Sequence, residues 1–89
     1  MSSEPVLRLR GDDLAWREFD GEAVLLDLRT SMYLAANAAA TILWRQLEQG
    51  TTESALAVLL VDAFDIPAER AAGDVSAFLA SCRERGLLA

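Results

Sequence analysis

The spacing of apolar residues changes once along this chain, at Asn37. Before it, apolar and polar positions alternate, the period of a strand half-buried on one face; after it, apolar residues recur every three or four positions. Leu14 to Phe19 predicts a first strand, and Asp20-Gly21 is the strongest short hairpin signal a sequence offers. Glu22 to Leu28 predicts the returning strand, its Val24-Leu25-Leu26 centre pointing to partial burial on both faces. Arg29-Thr30-Ser31 supplies a second turn, and Met32 to Ala35 a third, short strand. Ahead of them, residues 1–13 predict a flexible or extended arm, leaving one domain over 14–89.

Asn37 is a strong N-cap, because its side chain can accept from the free amides of a first helical turn. Ala39, Leu43 and Leu47 then share a face, and Gly50 stops the helix. Thr51 or Thr52 caps a second helix, with Glu53 in its first turn where the dipole favours an anion. Its apolar face is Leu56, Leu59, Leu60, Ala63 and Phe64. Pro67 fits the start of a third helix, in which Ala71, Val75, Phe78, Leu79 and Cys82 follow helical spacing up to Gly86. Leu87-Leu88 can fold back as a clasp.

Three short strands followed by three helices is an α+β order, and such a small sheet must bury one face against the helices. If the strands pair as the chain runs, the third lies at an edge. Proteins usually blunt such edges with charge, proline or a covering element, yet Ser31-Met32-Tyr33-Leu34-Ala35 has neither charge nor proline. Either the chain covers this margin itself, or another polypeptide adds a strand to it.

Composition narrows the classes. The 89 residues are 53% hydrophobic, enough for one core, and the longest apolar run, Ala55 to Val61, is far short of a membrane span. No basic-then-apolar signal opens the chain, so a cytoplasmic location is expected. Histidine is absent and Cys82 is the sole cysteine, which removes the commonest general base, the usual zinc sets and any internal disulfide. Net charge is −6 and every basic residue is arginine. Residues 1–50 hold 5 basic and 8 acidic side chains and residues 51–89 hold 3 and 6, so neither half offers the basic stripe a phosphate backbone needs.

The near carboxylate pairs, Asp12 with Asp13, Asp62 with Asp65 and Glu69 with Asp74, fall at turns or outer helix faces, where solvation explains them better than acid–base work. Cys82 sits in the apolar register of helix three and reads as core rather than nucleophile. Trp16, Trp44, Tyr33 and Phe78 could stack on bases, but without a basic groove they fit a core or a peptide-facing pocket better.

The run Leu-Leu-Asp-Leu-Arg-Thr-Ser-Met-Tyr at 25–33, the segment from Asn37 to Trp44 followed by Leu47 and Gly50, and Asp74 to Ala80 with Arg85-Gly86-Leu87-Leu88 together resemble the PqqD-like proteins. These are recognition elements for leader peptides in ribosomally made, modified peptide pathways. The likeness is nearest to the free-standing B1 versions of lasso peptide biosynthesis and spans about Leu14 to Leu88. It implies a winged-helix-like domain without catalytic residues, cofactor or metal, whose third strand takes the leader as an added antiparallel strand beside helix three. In that reading the backbone from Ser31 through Met32 and Tyr33 to Leu34 would set register, and Tyr33, Leu34, Val75 and Phe78 would wall the pockets. Arg70, Asp74 and Arg85 would meet leader charges at the rim. The implied partners are the precursor leader and a cysteine-protease-like leader peptidase of the B2 type, with neither nucleic acid nor membrane. Ala36 stands where the family usually has leucine, so pocket shape is expected to differ here. Two alternatives stay open: a peptide chaperone for a radical enzyme in quinone cofactor biosynthesis, and a winged-helix DNA-binding regulator. Against the latter, helix three carries Glu69, Asp74 and Glu84 beside Arg70, Arg83 and Arg85.

Overall fold

Strand β1 (Leu14–Phe19), β2 (Glu22–Asp27) and β3 (Met32–Ala36) pair antiparallel in the order β1-β2-β3, as the alternation predicts. The computed structural model describes residues 4–11, 13–20 and 22–89. Residues 1–3 of the expected arm, Asp12 of the Asp12–Asp13 pair and Gly21 of the hairpin turn lie outside the described residues. Register sets Trp16 opposite Leu25 and Leu25 opposite Leu34, a row that faces the helices. Because side chains alternate across a strand, Leu26 and its partner Tyr33 face the other way, outward. Both tight turns carry a non-glycine residue in the left-handed region, Asp20 at φ 50° and Ser31 at φ 59°.

Three helices follow: α1 (Ala38–Gln49), α2 (Glu53–Phe64) and α3 (Ala68–Glu84). Asn37 caps α1 by accepting from the Ala40 amide at 2.9 Å, and Thr52 caps α2 by accepting from the Ala55 amide at 3.2 Å. Gly50 ends α1 at φ 99°, and a Cβ there would also run into the Arg8 side chain. Leu25 of the sheet meets Leu43 and Leu47 of α1, Leu56 and Leu60 of α2, and Val75 and Leu79 of α3 in one core. Each such side chain contributes about 1.5–3 kcal/mol when fully buried. Among the described residues, no helix is long and apolar enough to cross a membrane.

Both ends of the chain are sewn to this core. Leu7 exchanges backbone hydrogen bonds with Thr51, and the Leu9 amide donates to the Leu47 carbonyl. The Arg10 amide donates to Leu87, and the Ala89 amide donates to Arg8. Leu9 and Leu87 are buried as a result. The arm is therefore extended from Leu7 to Arg10, and it pairs with the α1–α2 junction and the C-terminal tail rather than with the sheet.

Candidate functional site

The sheet has two margins, and they differ in chemistry. β1 carries Arg17 and Glu18, and its side chains are tied to α1: Glu18 forms an ion pair with Arg45, and the Trp16 indole N–H donates to Glu48. β3, Met-Tyr-Leu-Ala-Ala, has no charge. Among the described residues its only backbone partner is β2, so the amides and carbonyls of its far side are unmatched. Such a margin is a template for another strand.

Beside this margin lies a groove floored by α1 and α3. Its central cavity, about 190 Å³, is bounded by Leu34 and Ala35 of β3, Ala40 and Trp44 of α1, Phe78, Ser81 and Cys82 of α3, and Arg85 and Leu87 beyond it. That volume is below the range typical of small-molecule sites and suits one inserted side chain. Trp44 and Phe78 pack at a ring separation of 6.4 Å and a 47° tilt, forming an aromatic wall. A smaller notch of about 90 Å³ continues along the start of β3, between Thr30, Met32, Leu34 and Arg85. In the other direction a cavity bordered by Asn37, Ala40, Asp74 and Phe78 extends the groove past the end of β3. β3 and α3 thus run in opposite directions along its two sides.

The groove brings together Leu34, Phe78 and Arg85 of the expected residues, with Met32 and Asp74 at its two ends. Two expected walls stand elsewhere. Tyr33 is 73% exposed on the outer face of the sheet, since neighbouring strand residues point to opposite sides. Val75 is fully buried in the core beneath α3 and supports the groove instead of lining it. Ser31 is an exposed turn residue just before β3. Asp74 lies 3.8 Å from Arg70 one turn earlier, so these two exposed charges neutralise each other. Trp44, an expected core or pocket residue, lines the groove, and so does Ser81, which shares one flank of helix three with positions 70, 74 and 85 by helical spacing. Ala40 and Leu87 line it without having been singled out as its walls.

Two polar groups lie under the groove. Burial pushes the Cys82 thiol up, opposed by the Trp44 indole and more weakly by Arg83 and Arg85, so the thiol is protonated and unreactive at neutral pH. Asp27, buried below the notch, sits 3.0 Å from Arg10 and accepts from the Arg29 amide at 3.0 Å. The Arg10 guanidinium and the Asp27 carboxylate form an ion pair beneath the groove. Burial alone would raise the Asp27 carboxyl, but the Arg29 amide and Arg10 outweigh it and hold the group below its ordinary value of 3.8. Among the described residues, no three acidic or cysteine side chains gather as a metal site.

A family model described as coenzyme PQQ synthesis protein D (PqqD) matches residues 22–88. No curated protein matches the chain. Two solved structures share its fold. TbiB1 in complex with the TbiA(beta) leader peptide is 23% identical, with a TM-score of 0.83 over 91% of this chain and 93% of that one. A lasso peptide synthetase B1 complexed with the leader peptide is 26% identical, with a TM-score of 0.80 over 93% and 96%.

Proposed function

This chain belongs to the PqqD family, and we propose from that footing that it is a non-catalytic adaptor for the leader peptide of a ribosomally made precursor. The observation that carries the reading is the uncharged, unmatched margin of β3 lying directly beside an aromatic-walled groove. A leader laid along β3 as a fourth strand would satisfy the free amides and carbonyls, each hydrogen bond adding about 0.5–1.5 kcal/mol. Alternate leader side chains would drop between Leu34 and Phe78, where the cavity accepts one apolar side chain. The B1 relatives, solved with their leaders, support a lasso-type precursor. The bound leader would then be presented to a separate leader peptidase, because tethering raises local concentration at the enzyme without chemistry in this chain.

Trp44 lines the groove and makes a built-in reporter. Titrating the protein with a panel of candidate lasso leader peptides should change the fluorescence, at least one with a low-micromolar or tighter dissociation constant. No binding to any of them, by fluorescence and by calorimetry, would sink the reading. Presentation is tested by adding a leader peptidase of the B2 type: cleavage of a bound precursor should speed up when this chain is present and should not occur with this chain alone. The family's description leaves one rival, a peptide chaperone for a radical enzyme in quinone cofactor biosynthesis. Stable association with such an enzyme, and none with a peptidase, would favour it.

A further inference from the structure

At the β3 start of the groove two arginines flank the notch. Arg85 lines it and caps the C-terminal end of α3, where a cation is favoured by the helix dipole. Arg29 reaches over Gly86 from the β2–β3 turn, its Nη2 lying 3.0 Å from where a Cβ on Gly86 would sit. Both are exposed, and neither makes an ion pair among the described residues. Asp27, which lines the notch below them, is paired with Arg10 and attracts Arg29 more weakly, so the three arginines outnumber the one acid there. At the opposite end of the groove, Asp74 is matched by Arg70. In a chain of net charge −6, the groove therefore has one cationic end and one neutral end.

Resting on the strand-addition reading, we propose that the Arg29–Arg85 corner recognises an Asp or Glu of the leader just carboxyl-terminal to its added strand, and so fixes the direction in which the leader lies. β3 runs from Met32 at this corner to Ala36 at the Asn37–Asp74 end. A strand antiparallel to β3 brings its carboxyl end to the arginines, whereas a parallel one would bring its amino end there. Backbone pairing alone separates the two directions weakly, antiparallel being only slightly the more stable. A single acid placed after the strand adds charge attraction to one direction only.

The test is a yeast-displayed library of random 15-residue peptides, sorted against the intact protein and against Arg29→Gln/Arg85→Gln. Peptides enriched by the wild type should carry Asp or Glu on the carboxyl side of an alternating apolar run. Their affinity should fall about fivefold or more for the double variant, and most of that difference should vanish at high salt. Equal affinity for both proteins, or no acid bias, overturns the corner's role. An acid bias on the amino side overturns the direction. If the wild type enriches no peptide while the displayed panel of lasso leaders also fails to bind, the strand-addition reading itself falls. Binding of a leader from that panel with no effect of the double substitution rejects only the charge reading.

Discussion

Leu34 and Phe78 face each other across the groove, and neither is needed to close the core as Leu25 or Leu79 is. Phe78→Ala should therefore weaken leader binding about tenfold, near 1.4 kcal/mol, while the far-ultraviolet circular dichroism stays helical. Tyr33→Ala, on the outer face, should leave affinity within about twofold by calorimetry. Asp27 governs a different property. Its carboxyl holds a proton less tightly in the folded protein than in the unfolded chain, so its contribution is fully present above the ordinary value of 3.8. That contribution is lost as pH falls through the still lower folded value. Urea midpoints followed from neutral pH downward should drop across this window, and Asp27→Asn, less stable at neutral pH, should show a shallower acid limb. An unchanged slope would contradict this.

Strands and helices were legible because each rests on a local signal: alternation for β1 to β3, and Asn37, Thr52 and Gly50 as stops and starts. What alternation could not fix is which face of β3 turns inward. Met-Tyr-Leu-Ala-Ala is apolar on both faces, and only the pairing of Leu34 with the buried Leu25 decides it. That is why Tyr33 was expected in the pocket and Leu34 alone of the two is there. Val75 shows the same limit on α3, since helical spacing groups it with Phe78 without saying which residue reaches the rim. The element's own behaviour is open to measurement. Amides of β3 that face away from β2 should exchange hydrogen quickly in the free protein and slow on leader binding, whereas β2 amides should be protected throughout.

On the scale of the molecule, the groove depends on a segment that the leader need not touch. Leu87 forms part of its lining, and the Leu87 carbonyl is held by the Arg10 amide of the N-terminal arm. The neighbouring Leu9 is 6% exposed, and Leu9→Ala should lower unfolding stability by about 2–5 kcal/mol in urea titrations. This long-range dependence was hidden in the sequence, because the arm's partners, Thr51 and Leu88, lie beyond four elements or at the far end of the chain. The same stitching brings Arg8 and Ala89 into direct hydrogen-bond contact. One seam of hydrogen bonds thus seals Leu9 and Leu87 together, so loosening it on either side unpacks both and reshapes the groove that Leu87 lines.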